Sequence, residues 1–222
     1  MAPAATLRHH DAICRTSGRS LFVIDRDALT GLVLAGGQGR RMGGCDKGLE
    51  AFAGRPLIAH AVAPLVGRVA ELLISANRHP EAYARWADRV VADVEAGYMG
   101  PLMGLYSGLR AAATDWVVLV PCDCPALPDD LVARLIAGRG DADIAVAHDG
   151  ERLHPVVALI RRDLVDDLGE ALAVGERKVE RWFARHAWCA VDLSDRADAF
   201  ANLNTLDDKR RMERRRRETP RP

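Results

Sequence analysis

No apolar run in the chain approaches the roughly 20 residues that a membrane-spanning helix needs, so it is not expected to cross a bilayer. Between Met1 and Asp27 there is no uninterrupted apolar stretch followed by a small-residue cleavage site; Arg8, His9, His10, Arg15 and Arg19 break the segment up. No secretory signal is expected there. Cysteine is scarce as well: Cys14, Cys45, Cys122, Cys124 and Cys189 are odd in number and widely spread. That excludes a disulfide scaffold and points to reduced thiols in the cytoplasm. Cys122 and Cys124 are spaced too closely for a C-x2-C zinc half-site, and no second pair completes one. Net charge is also absent, with 31 basic and 31 acidic residues.

That balance is uneven along the chain. Residues 209–222 hold eight basic and two acidic residues, leaving 23 basic and 29 acidic in the remainder, a net charge of about −6. The body is therefore not a nucleic-acid binder by charge, and nucleic acid is not an expected partner. Two readings of the Arg-rich end stand: a solvated helix end, or an arm that touches an acidic partner.

What is present fits one soluble globular domain: 222 residues, 49% hydrophobic and 28% charged. Residues 1–28 carry little periodicity and read as a flexible extension, 29–208 as a single domain, and 209–222 as a basic tail. Short apolar runs at 32–34, 72–74, 90–91, 117–120, 144–146 and 156–160 alternate with helical patterns at 58–66, 102–112 and 131–136. Buried strands interleaved with helices predict a three-layer α/β/α fold with an open, doubly wound, mainly parallel sheet. Ligands of such sheets bind beyond the carboxyl ends of the strands, which directs attention to the loops after Leu34 and Val120.

The first of these loops, Leu34 to Gly48, holds six glycines and three cations within fifteen residues. Glycines let backbone N–H groups approach an anion closely, and Arg40, Arg41 and Lys47 add full charges, so a polyphosphate suits the loop. It is not a Walker loop, because Lys47 is followed by Gly48 rather than Ser or Thr. Nor is it a dinucleotide fingerprint, because position 42 is Met where glycine is required.

The strings Leu34-Ala35-Gly36-Gly37, Arg41-Met42-Gly43-Gly44, Asp46-Lys47-Gly48-Leu49 and Gly54-Arg55-Pro56-Leu57 resemble the signature of nucleotidyltransferases, and in this extended form the MobA-type molybdenum-cofactor guanylyltransferases. The likeness covers residues 30–208, continuing through Ser75-Ala76-Asn77-Arg78-His79, Asp93, Gly100-Pro101-Leu102, Pro121-Cys122-Asp123-Cys124-Pro125, His154-Pro155 and Asn202-Leu203-Asn204-Thr205. It implies the nucleotide-diphospho-sugar transferase type of sheet and transfer of GMP from GTP to the terminal phosphate of molybdenum-molybdopterin. It further implies that Leu34, Ala35, Gly36, Gly37, Lys47, Asn77, Asp93 and Asp123 contact GTP, that Lys47, Arg41 and Asp123 serve catalysis, and that Asp123 holds Mg2+. Gly100, Pro101, His154, Asn202 and Asn204 fall on the pterin side. Implied partners are GTP, molybdenum-molybdopterin, a cofactor-supplying protein, and recipient apo-molybdoenzymes or their chaperones, met transiently.

The residues themselves leave alternatives. Asp123 after an apolar strand suits a metal or the N-cap of a following helix. Asn204 suits a neutral ligand, yet it or Thr205 suits a cap. Asp93 suits the N1–H and amine of guanine, or a surface turn. His154 suits a ligand or a satisfied structural histidine. A cytidylyl- or sugar-phosphate transferase, and a GTP-binding delivery module without turnover, remain as other readings.

Overall fold

The computed structural model describes residues 24–36, 46–95 and 100–218. Along the chain run β1 (Leu29–Leu34), the short pair β2 (Ala51–Phe52) and β3 (Arg55–Pro56), α1 (Leu57–Val62), β4 (Glu71–Ser75), α2 (Pro80–Tyr83) and β5 (Arg89–Val91). Then follow α3 (Pro101–Ala111), β6 (Trp116–Pro121), α4 (Leu131–Gly138), β7 (Ile144–His148), β8 (Leu153–Arg161), α5 (Val165–Ala173), α6 (Val179–Phe183), β9 (Trp188–Asp192) and α7 (Leu206–Glu218). None of the described helices is long and apolar enough to cross a membrane.

Seven strands form one sheet in the order β5-β4-β1-β6-β8-β7-β9. Neighbours are parallel except around β8, which is antiparallel to both β6 and β7. The reversal has a simple cause: only residues 149–152 separate β7 from β8, whereas a parallel crossover needs a dozen or more. The mainly parallel sheet expected from the sequence is thus present with one inverted strand.

Alternation along the strands divides the interior in two. Val33, Ile74, Val118 and Val120 join a core that includes Ile58, Leu65 and Leu135 of the α1 and α4 regions. Leu32, Leu73, Val117 and Leu119 join another that includes Leu105, Leu168 and Trp182 of α3, α5 and α6. Central strands covered on both faces must be apolar at every position, which is why Val117 to Val120 are all 0% exposed.

Helix α3 approaches β1 through glycine. A Cβ at Gly108 would lie 2.8 Å from Leu32 Cδ1 and 3.0 Å from its Cγ, and Leu32 is itself fully buried. Gly108→Ala is expected to destabilise the fold by about 1–3 kcal/mol through overpacking. Urea unfolding checks this as a lowered midpoint at unchanged slope; an unchanged midpoint would mean that Leu32 has room to turn away.

Contacts reach past both ends expected for the domain. Ile24 packs against the core and Arg26 Nε donates to Val69 O at 3.1 Å. At the other end, the boundary at 208/209 falls inside α7. Met212 packs on Phe52, Leu57 and Leu203, and Glu213 Oε1 accepts from Ala53 N at 3.3 Å.

Candidate active site

Four strands end level. Leu34 pairs with Ser75 on one side and Pro121 on the other, and Ser75 pairs with Val91. The ladder continues one residue beyond, with Ala35 N on Ser75 O at 2.8 Å, Ala76 N on Val91 O at 3.0 Å and Cys122 N on Leu34 O at 3.0 Å. Consequently Gly36, Asn77, Asp93 and Asp123 leave the sheet from one edge. Gly36 sits beside Asn77: a Cβ there would lie 3.6 Å from Asn77 Nδ2. Gly37 and Arg41 lie outside the described residues.

Lys47 opens a single 3-10 turn, Lys47–Leu49, preceded by Asp46. Its ammonium donates to Asp123 Oδ2 at 2.8 Å and to Asn204 Oδ1 at 2.7 Å. Residues 76 and 157 positions away in sequence are thereby joined by one cation. The segment after Phe200 is laced to the β6 loop: Leu203 N donates to Asp123 O at 2.9 Å, and Cys124 Sγ donates to Asn202 Oδ1 at 2.8 Å.

The capping alternatives resolve differently for the two positions. No helix follows Asp123 directly; α4 starts at Leu131 behind Asp130. Thr205, not Asn204, caps α7, because Asp208 N donates to Thr205 Oγ1 at 3.1 Å and Asp208 Oδ2 accepts from Thr205 N at 2.9 Å. That reciprocal box leaves the Asn204 side chain free to face Lys47.

Asp123 Oδ2 and Asn204 Oδ1 converge on one cation position, which the lysine ammonium fills. Hard oxygen donors of this kind fit Mg2+, which takes one or two carboxylates and completes its octahedron with phosphate and water oxygens. Among the described residues there is no group of three or more His, Cys, Asp or Glu that could hold a metal ion. Burial pushes the Cys122 thiol up to about 12 and the Cys124 thiol well above its ordinary value. Both shifts disfavour the thiolates beside Asp123.

Asn77 and Asp93 form a two-point pair: Asn77 Nδ2 donates to Asp93 Oδ2 at 2.7 Å, and Asp93 N donates to Asn77 Oδ1 at 2.8 Å. Asn77 is exposed and Asp93 half-buried. Gly100, at φ 85°, turns the chain into α3, whose first residue is Pro101. Because Gly104 abuts the side chains of Leu34 and Ser75, this helix start reaches the same edge.

His154 behaves as a satisfied structural histidine. Its Nε2 lies 2.7 Å from Asp149 Oδ2, and its ring stacks on Phe200 at 4.4 Å and 20°. It connects to the site through Phe200, whose carbonyl accepts from Cys124 Sγ at 3.8 Å. Burial alone would raise the Asp149 carboxyl, but the N–H groups of Arg152 and Glu151 and the His154 ring outweigh it and hold it well below the carboxylate range. Burial lowers the His154 imidazole, against the pull of Asp149.

For both groups the unfolded chain takes up a proton before the folded one does, so acidification favours unfolding. The His154 contribution is complete above 6.5 and falls below it; that of Asp149 is complete above 3.8 and falls below it. The urea midpoint should therefore decline from pH 7.5 to 5.5, and His154→Gln should flatten that decline. An equal slope in the variant would remove His154 from the account.

Tyr83 was not legible as a site residue. It lies 37 positions from Asp46, yet its hydroxyl donates to Asp46 Oδ1. A lone tyrosine in an alanine-rich stretch carries no signal for that contact.

Residues 31–190 match the family model of the MobA-like NTP transferase domain. A molybdenum cofactor guanylyltransferase from Shewanella amazonensis is 47% identical over 176 residues, covering 78% of this chain and 90% of that protein. One from Shewanella pealeana is 42% identical over 183 residues, covering 82% and 92%. Two solved structures show the fold. Molybdopterin-guanine dinucleotide biosynthesis protein A from Archaeoglobus fulgidus superposes with a TM-score of 0.69 at 22% identity, covering 86% of this chain and all of that one. 4-Diphosphocytidyl-2C-methyl-D-erythritol synthase from Anaerococcus prevotii superposes at 0.68 with 12% identity, covering 87% and 98%. Matched by the family model over most of its length and aligned with nearly the whole of its curated relatives, the chain belongs to the MobA-like NTP transferase family, alongside the molybdenum cofactor guanylyltransferases.

Proposed function

We infer that the protein transfers GMP from GTP to the terminal phosphate of molybdenum-molybdopterin, releasing pyrophosphate and forming the guanine dinucleotide cofactor. The observation that carries this reading is the Lys47 bridge to Asp123 and Asn204, set on the same sheet edge as Gly36, Asn77 and Asp93. An acidic, oxygen-rich cation position lies there with Gly36 and Lys47, the two described ends of the glycine-rich loop.

Both reactants are anions, and two unit charges 4 Å apart repel by about 4 kcal/mol at an effective dielectric near 20. The Lys47 ammonium and the backbone at Gly36, to which Leu34 and Ala35 lead from the end of β1, offset that repulsion and hold the triphosphate in line for displacement. When phosphate oxygens take over Lys47, the oxygens of Asp123 and Asn204 are released for a divalent ion. Asp123, with Asn204 beside it, would hold Mg2+, which would supply Lewis-acid stabilisation of the charge that develops on the phosphoryl oxygens. The acceptor phosphate is already ionised near neutral pH and needs no serine or cysteine nucleophile. It approaches from the side of Asn202 and Asn204, with Gly100 and Pro101 at the α3 start and His154 backing Phe200.

Asp93 reads guanine, accepting from its N1–H and amine while Asn77 orients the carboxylate. CTP and ATP lack that donor pair and would leave the aspartate unmatched. Thermal shift with GTP, CTP, ATP and UTP in Mg2+ tests the reading, since ligands that bind only the native state raise its stability. GTP should stabilise most, and Asp93→Ala should weaken GTP by about 1–3 kcal/mol without weakening ATP. Preferential stabilisation by CTP would indicate a cytidylyltransferase on this shared fold instead.

A further inference from the structure

Tyr83 ends α2 and is 0% exposed. Its hydroxyl donates to Asp46 Oδ1, and its ring lies against Gly48, where a Cβ would come within 3.0 Å of Cε1 and 3.1 Å of Cζ. One side chain thus fixes the residues on both sides of Lys47. A buried phenol needs a partner for its hydroxyl. Burial, with Asp46 adding to it, pushes its pKa far up, so the group remains a donor throughout the working range.

Asp46 is the chain neighbour of Lys47, yet among the described ion pairs Lys47 joins Asp123 and not Asp46. A carboxylate released beside that ammonium would compete with a phosphate for its charge. Gly48 contributes by having no side chain, which lets the ring close over the turn.

We propose that Tyr83 is a positioning residue for the phosphate-binding lysine: by engaging Asp46 and closing over Gly48, it keeps the Lys47 charge directed at Asp123, Asn204 and the incoming triphosphate. The proposal rests on the nucleotidyltransferase reading of this edge.

Tyr83→Phe keeps the ring and the packing, so its melting temperature should stay within about 3 °C of the wild type. KM for GTP should rise about tenfold, with kcat changed less than about threefold. A purely structural tyrosine would not give that split. In an Asp46→Asn background, where the neutral amide does not compete for Lys47, Tyr83→Phe should raise KM by no more than about twofold. An unchanged KM, or the same rise in both backgrounds, would overturn the proposal.

A crystal structure of Tyr83→Phe gives a readout independent of substrate. The Asp46 carboxylate should turn to within about 4 Å of Lys47 Nζ; an unmoved Asp46 would also overturn the proposal. A wild-type protein that bound GTP without transferring GMP would refute the reaction and leave this structural outcome standing.

Discussion

Asp123→Ala should lower Mg2+-dependent pyrophosphate release from GTP plus molybdenum-molybdopterin by about 1,000-fold, or roughly 4 kcal/mol of transition-state stabilisation. Among the described residues, the Asp123 carboxylate and the Asn204 amide oxygen are what meets the Lys47 ammonium. The Asn204 amide alone is a weak ligand for a hard divalent ion. The fold should survive, because the Lys47–Asp123 pair is partly solvated, with side chains 18% and 21% exposed. Its loss is expected to destabilise by about 1 kcal/mol. Asp123→Asn separates charge from shape: it keeps the acceptor for Lys47 and should be nearly as inactive. A continuous pyrophosphate assay on both variants decides the matter, and turnover within tenfold of the wild type would take Asp123 out of the chemistry.

Lys47→Met should move two affinities in opposite directions. GTP binding without metal should weaken by about 30- to 100-fold, or 2–3 kcal/mol, the scale of charge-assisted hydrogen bonds to phosphate. Divalent-ion binding without nucleotide should strengthen, since the ammonium that occupies Asp123 and Asn204 is removed. Titration calorimetry with GTP and electron paramagnetic resonance with Mn2+ read the two effects separately. If GTP affinity were unaltered, Lys47 would have no phosphate role. If divalent-ion affinity fell together with that for GTP, the variant would have disturbed the site rather than emptied it.

These two positions also show where the sequence was readable. Lys47 follows the Leu34–Gly44 loop closely enough that strand, glycines and cations could be read as one phosphate-binding unit. Asp123 ends the run Val117 to Val120, and a charge directly after so apolar a strand requires a partner. Asn77 and Asp93 each follow an apolar run, and the rule that ligands bind past the carboxyl ends of parallel strands brings them to the same edge. In each case the information is local, and the strand period supplies the geometry.

What could not be read depends on which side chains actually meet, near or far along the chain. Nothing in Asn204-Thr205 distinguishes a cap from a ligand until Asp208 is seen to close the box with Thr205. His154 gains its assignment from Asp149 and Phe200, and Tyr83 from Asp46. The β8 inversion needed the length of the 149–152 turn. Contacts reach past the expected ends of the domain because Ile24 and Met212 pack against residues far away in sequence.

The amino-acid string by itself settled the layered α/β/α class and set a glycine- and cation-rich loop after β1 and a carboxylate after β6, because apolar period and glycine content act within a few residues. Only the tertiary structure decided which acceptor shares Lys47 with Asp123, which threonine ends the approach to α7, and which tyrosine steadies the turn. The Lys47 and Tyr83 choices are among partners 37 to 157 residues apart, and proximity on that scale is set by how the strands stack beside one another, which no local pattern encodes; the Thr205 choice is local but becomes definite only once Asp208 closes the box.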